Sequence, residues 1–432
     1  MSAANADAGH ARVPAPSPPI ATPTSNRGPL AGVRIIEVSL LGGAAMTTTL
    51  ADLGAEVIKV ESPAGDYIRE MTWPIVEGVS LMHLHINRGK SSVVVDLKSE
   101  AGRALFGELV TGADAVVEAM RPGQLEKLGV GYETLKAINP KIVFMEFSGY
   151  GSTGPYRTLP SHGVAFDTWA GIVAPVVDDD GFCYLPEHVS IGINAGPTYG
   201  ALGLVAGIVA ARATGVGCRM ELAQADAAVA FDWYRHETGR AYERPEAEVT
   251  GNPADGYERR APGTAGLREG VRYQVYETAD GHVLFMASEQ TFWKNFCDAV
   301  DRSDLFQRWP GSRFADHARN NRELQTELRD IFRTRTSQQW LAFAATHNTA
   351  LAPVNTAAEL ARDAQFQDRV RWYPKEVLGA DQLAPPLKIL DAELPTPSRA
   401  PTFGEHTDHI LRAVLGKSDD EITALHAAGA LG

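Results

Sequence analysis

Gly42-Gly43 follow the apolar run Val33–Val38, and Glu61 closes a second apolar run 19 residues after Gly42. A glycine turn after one strand, with an acid at the end of the next, is how dinucleotide folds hold a pyrophosphate and a ribose. The third glycine of G-x-G-x-x-G is missing, so the pair reads as a tight turn and NAD is not expected. No G-x-S-x-G occurs, and without that elbow a serine hydrolase is a poor reading. His83 and His85 stand two apart, with neither a third histidine nor a carboxylate at ligand spacing, so they read as structural and no metal is expected. Cys183, Cys218 and Cys297 form no C-x-x-C, which argues against a disulfide framework or a zinc site and fits a reducing compartment.

These residues need a scaffold, and the hydrophobic pattern supplies one. Val33–Val38, Glu56–Glu61, Ser91–Leu97, Ala115–Val117 and Lys141–Met145 read as strands, with helical periods over Ala44–Leu53 and Ser99–Val110. Gly54 is a natural helix stop. Strands alternating with helices from Gly32 to Gly154 predict an α/β fold with a parallel sheet covered on both faces. Residues 236–272 are rich in charge, Gly and Pro and read as a linker. Tyr273–Phe285, with the turn Asp280-Gly281, reads as a hairpin, and helical stretches run on to about residue 364. Ser418-Asp419-Asp420-Glu421 is a capping box that starts a final helix.

Composition bounds the partners. The chain has 432 residues, 44% hydrophobic and 22% charged, enough to bury a core without disulfides or metal. Its formal charge of −13 repels phosphate backbones, so nucleic acid is not expected, although a local basic patch can still hold a small anion. Residues 1–28 are rich in Ala, Pro, Ser and Thr, lack the basic start and apolar run of a secretory signal, and read as a disordered tail. Ile191–Ala211 is uncharged and long enough to span a bilayer. Its glycines at 192, 196, 200, 203 and 207 fall on one helical face, which predicts a buried helix packed closely against backbone rather than a membrane span.

The stretch Pro29–Glu37 resembles the start of the class III CoA-transferases, the family of formyl-CoA transferase and alpha-methylacyl-CoA racemase. Leu50–Glu61, Asn87–Ser91, Asp96–Lys98, Val117–Gly123, Gly149–Pro155, Thr214–Gly217, Thr278–Gly281 and Gly404–Thr407 agree with it in order, from about residue 29 to the C-terminus. The resemblance implies a Rossmann-like large domain with a smaller inserted domain, and ring-shaped chains interlocked as a dimer. Mapped on this chain, it gives the large domain as 29–235, the linker as 236–272, the small domain as 273–370, and the return to the large domain as 371–432. It further implies coenzyme A as substrate thioester, with Lys90, Lys98, Arg121 and Lys127 at the nucleotide-binding positions. Cations there are sound chemistry, because CoA carries phosphates. Many relatives carry a basic residue after Val60-Glu61, where this chain has Ser62.

A larger departure concerns the nucleophile. Transferases of this family use an aspartate on a glycine-flanked turn before the helix that leads into T-G-x-G, and pass the acyl group through its mixed anhydride. Counting back from Thr214-Gly215, that position falls within Ser190–Gly196, which contains no acid. By the same resemblance Asp167 matches an earlier acidic active-site position, and Glu187 is the nearest acid upstream of the gap. These two are the catalytic candidates. The racemase reading weakens because Phe166 stands where a histidine is required, with His162 further upstream. The expected activity is a cytoplasmic transfer of CoA between an acyl-CoA and a free carboxylic acid. The expected assembly is a homodimer; the alternatives are a non-catalytic subunit that pairs with an active relative in a heteromer, and acyl-CoA racemisation.

Overall fold

The computed structural model describes residues 28–251, 259, 267–312 and 316–431. The chain forms two compact units, one from the residues up to Phe231 together with Arg371 onward, the other from Asp232–Val370. The tail expected over 1–28 lies, except for Gly28, outside the described residues. Much of the expected linker also falls outside them, and its beginning is a helix, Trp233–Tyr242.

The first unit is built on six strands: β1 (Arg34–Val38), β2 (Glu56–Glu61), β3 (Lys90–Val94), β4 (Ala115–Glu118), β5 (Val143–Ser148) and β6 (Arg219–Ala223). They hydrogen-bond in the order β6-β5-β4-β1-β2-β3, and every pair is parallel. That is the order of a doubly wound sheet, with its topological switch between β1 and β4. Side-chain alternation sorts the two faces. Ile36, Ile58, Val116 and Phe144 pack on one side with Leu105, Phe106 and Leu109 of α2 (Glu100–Thr111). Ile35, Val57, Val117 and Met145 pack on the other with Met46 and Leu50 of α1 (Leu41–Asp52). The further helices of this unit include α3 (Gln124–Lys127), α4 (Ala165–Trp169), the long α5 (Gly192–Thr214) and α6 (Gln224–Phe231). β6 was not anticipated: Arg219-Met-Glu-Leu-Ala223 is a half-exposed edge strand whose pattern carries little apolar signal.

Helix α5 has the length and composition of a membrane span. In the fold, Ala201, Leu204, Ile208 and Ala211 belong to the core beside α1 and the sheet. Its glycine face packs on side chains rather than on backbone, contrary to expectation. An added Cβ on Gly200 would run into Met46, and one on Gly207 would lie 2.7 Å from Met220. The opposite face is exposed, with Leu202 at 66% and Val209 at 64%, so the helix is amphipathic by packing although apolar all round in sequence.

The second unit holds an antiparallel sheet of β7 (Tyr273–Glu277), β8 (His282–Met286) and β9 (Leu351–Pro353). Helices α7 (Gln290–Ala299), α8 (Arg322–Phe332) and α9 (Ser337–His347) cover it. Its core is aromatic: Phe285, Trp293, Phe296, Phe332 and Trp340 are fully buried.

Candidate active site

A cavity of about 460 Å³ opens at the carboxyl ends of β1, β4, β5 and β6. Ligands in open α/β sheets bind at this place, beside the switch in strand order. Leu40–Gly42 lead from β1 into α1, Ala119–Pro122 follow β4, Phe147–Gly151 end β5, and Gln224 begins α6. The lack of a side chain at Gly42 lets α1 start against Phe147, whose ring an added Cβ would strike. The first turn of α1 has no side-chain cap, so its amides are left for another acceptor.

The wall's charge is one-sided. It carries Arg121, Lys127 and Arg157, with His162, and neither Asp nor Glu. All three cations are exposed, and none has a carboxylate partner among the described residues. In a chain of net charge −13 this is a local reversal of sign, suited to a polyanion. Phe147, Tyr150, Leu159 and Phe166 give the same cavity apolar surface. Tyr150 meets Tyr156, Phe166 and Trp169 edge to face, with centroids 5.6–6.1 Å apart.

Of the four cations implied by the resemblance, Arg121 and Lys127 stand on this wall and Lys90 and Lys98 do not. Lys98 is exposed on the loop after β3. Lys90 is buried; its ammonium donates to Glu37 Oε2 at 2.8 Å and to the carbonyl of Ala44 at 2.8 Å. Glu37 is shared with Lys59 at 3.1 Å, and Lys59 also reaches Asp66 at 3.0 Å and the Ser39 carbonyl at 2.7 Å. Burial pushes Glu37 up, but Lys90 and Lys59 outweigh it and hold the carboxyl at about 2. Burial lowers Lys90 to about 8 despite Glu37 beside it. A lysine so committed has no free donor to turn toward a phosphate without leaving Glu37 unpaired.

Asp167 and Glu187 are not on the cavity wall either. Asp167 is fully buried one residue beyond Phe166, and it caps α5: Oδ1 accepts from Gly192 N at 2.7 Å and Oδ2 from Ile191 N at 3.2 Å. His188 Nε2 lies 3.2 Å from the same Oδ2, while its Nδ1 faces the Pro186 carbonyl at 3.0 Å. Glu187 is exposed on the loop before it. The candidate carboxylate therefore touches the acid-free segment, yet its lone pairs are occupied by backbone amides. At Gly192 there is no room for a side chain, since a Cβ would sit 2.7 Å from Phe166 Cβ and 3.3 Å from Asp167 Oδ1. No sequence signal marks Arg157 and His162 as cavity residues, because their loop has no period that places it.

One carboxylate group has metal-like spacing: oxygens of Glu118, Glu126 and Glu146 lie within 4.8 Å of one another. Glu118 and Glu146 are directly opposite on β4 and β5. Arg219 bridges the other two, at 2.6 Å to Glu146 and 3.2 Å to Glu126. Glu118 Oε2 is buried without a partner, and burial, then Glu146 and Glu126, push its pKa to about 8. A guanidinium and a retained proton thus balance the cluster.

Residues 30–407 match CoA-transferase family III. The chain is 30% identical over 406 residues to the succinyl-CoA:mesaconate CoA-transferase of Haloarcula hispanica, covering 89% of this chain and 96% of that one. It is 27% identical to the succinyl-CoA–L-malate CoA-transferase beta subunit of Chloroflexus aurantiacus, over 94% of this chain and 98% of that one. The crystal structure of a CAIB/BAIF family protein from Brucella suis superposes with a TM-score of 0.71 at 27% identity, covering 90% of this chain and all of that one. A doubly wound sheet, a cation-lined cavity at its switch point and a family match across most of the length lead to one assignment: the chain is a member of CoA-transferase family III.

Proposed function

We propose that this chain binds coenzyme A in the cavity above β1, β4 and β5 and moves it from an acyl-CoA thioester to a free carboxylic acid. The observation that carries this is the wall with three cations that, among the described residues, have no carboxylate partner and face no Asp or Glu. Arg121 and Lys127 hold phosphates, and the uncapped first turn of α1 offers amides to a further anionic oxygen. In the net reaction the donor C–S bond breaks and the CoA sulfur bonds to the acceptor's carboxyl carbon. The oxygen displaced from the acceptor leaves with the donor acyl group as a carboxylate. The acids in the names of the two relatives each carry two carboxyl groups.

Asp167 is our first choice for the essential carboxylate and Glu187 the second. To act, Asp167 has to leave the amides of Ile191 and Gly192. The reading extends, on family resemblance, to a cytoplasmic protein with no metal, whose ring-shaped chains carry the smaller inserted domain and interlock as a homodimer. The exposed Leu202 and Val209 of α5 support a covering partner chain. A second reading has this chain as the non-catalytic member of a heteromer. The absence of an acid in 190–196, the filled space at Gly192, and a relative named as a beta subunit favour it.

The test combines binding and turnover on the pure protein. Calorimetry should show CoA binding that falls roughly ten- to hundred-fold in Arg121→Ala and in Lys127→Ala, the range of one charge-assisted bond. Unchanged affinity in both variants removes the CoA site from this cavity. A panel of acyl-CoA donors and acids should give turnover that Asp167→Asn abolishes. Turnover surviving both Asp167→Asn and Glu187→Gln removes the carboxylate proposal, and turnover only on adding a related chain selects the subunit reading.

A further inference from the structure

The second unit has an open groove of its own, of about 510 Å³, along one face of α9. Gln339, Ala342, Phe343, Thr346 and His347 recur at three- and four-residue spacing and share that face, and Arg335 closes the groove at the helix start. The platform beneath it is fixed. Trp340 is fully buried and its Nε1 donates to the Phe332 carbonyl at 2.8 Å, while Phe343 meets it edge to face with centroids 5.1 Å apart. The half-buried Arg335 guanidinium sits against both rings, 4.6 Å from the Trp340 centroid and 4.8 Å from that of Phe343. Its main chain is pinned as well, because the Arg335 carbonyl accepts from Ala279 N at 2.9 Å, in the turn between β7 and β8.

Nearby arginines of this unit are matched: Arg329 with Asp330, Arg333 with Glu277, and Arg302 with Asp304 and Glu327. Arg335 has no carboxylate partner among the described residues, and neither Asp nor Glu lines the groove. The ring faces attract its charge but leave its N–H donors without an ordinary acceptor. Gln339 adds a donor of fixed position. Its Oε1 accepts from Thr336 N at 2.9 Å in the capping box, which leaves Nε2 without a partner among the described residues. His347 bounds the groove from the other side of the same floor, its ring centroid 4.4 Å from that of Phe343. We propose that this groove is a second anion site, in which the planar fork of Arg335 and the Gln339 amide hold an oxoanion, the phosphate or carboxylate group of a small molecule. The proposal is independent of the CoA reading, since all of its residues belong to the second unit.

Hydrogen exchange read by mass spectrometry on the full chain locates such a site without need of a variant. Sodium phosphate or sodium acetate, each compared with sodium chloride at equal ionic strength, should slow exchange over residues 334–347 in a saturable way. The anion that protects at the lower concentration identifies the group the site takes. The concentration required should rise roughly ten-fold or more in Arg335→Gln, the range of one charge-assisted bond. It should rise less in Arg335→Lys, which keeps the charge and loses the fork. Arg121→Ala, made in the first unit's cavity, should leave this protection unchanged, so the two sites stand or fall separately. No slowing over 334–347 with either anion, or the same slowing with chloride, overturns the proposal. Protection that Arg335→Gln leaves intact overturns it too. Should that variant fail to fold, Arg335→Lys decides, and protection at the parent's concentrations removes the fork from the site.

Discussion

Two regions of one sheet treat positive charge in opposite ways. Among β1, β2 and β3 the cations are matched: the buried Lys59 and Lys90 share Glu37, Lys59 adds Asp66, and the partly buried Arg69 forks onto Glu61 at 2.7 and 2.8 Å. Above β4 and β5 the cations Arg121, Lys127 and Arg157 are exposed and unmatched among the described residues. The same residue types serve as mortar in one place and as bait in the other. What distinguishes them is whether the fold supplies the counter-charge.

The comparison is broken most directly at Glu37. Replacing it in Glu37→Gln leaves Lys90 without its buried counter-charge and Lys59 with Asp66 alone, and should cost about 3–5 kcal/mol, read as a large drop in denaturation midpoint. A midpoint near that of the parent would mean that the buried network holds nothing. Glu118 gives a smaller and pH-dependent effect. Its folded pKa near 8 stands above the ordinary 4.5, so its contribution is fully present below pH 4.5 and is lost as pH rises through 8. Between those values stability should decline with pH by at most about 1.4 kcal/mol per unit, and Glu118→Gln should flatten the profile. The smallest effect is expected at Arg121 and Lys127, where alanine should change stability by less than about 0.5 kcal/mol. A clear loss of stability there would reassign these cations from ligand binding to structure.

The scaffold was largely legible. Glu56–Glu61 reads as a strand because Val57, Ile58 and Val60 are apolar and Gly54 stops the preceding helix, and the fold has it with those bounds. The Ser418 capping box and the hairpin about Asp280-Gly281 are local patterns with local physics. The site was less legible, because its charges are decided by register. Lys90 precedes Ser-Ser-Val-Val and reads like any strand-end lysine; only the lateral order β1-β2-β3 brings Glu37 under it. Arg157 lies in a loop rich in Gly, Pro and Ser, where no period indicates which way the chain returns. The missing acid at 190–196 was visible, but the reason no side chain fits Gly192 is Phe166, a contact across the fold.

The returning C-terminal residues have a consequence for solubility. β3 is the outer strand of the sheet, and an outer strand offers a row of bare amides and carbonyls to any other extended chain. Here Ser92 N donates to His406 Nδ1 at 3.2 Å and Val94 N to Thr407 Oγ1 at 3.1 Å, while Ser398 O and Ser92 O accept from Gly89 N and His406 N. Residues 398–407 therefore act as a built-in edge guard. A chain cut short before them would still have all six strands, but its border would be open to strand-to-strand association with its own copies.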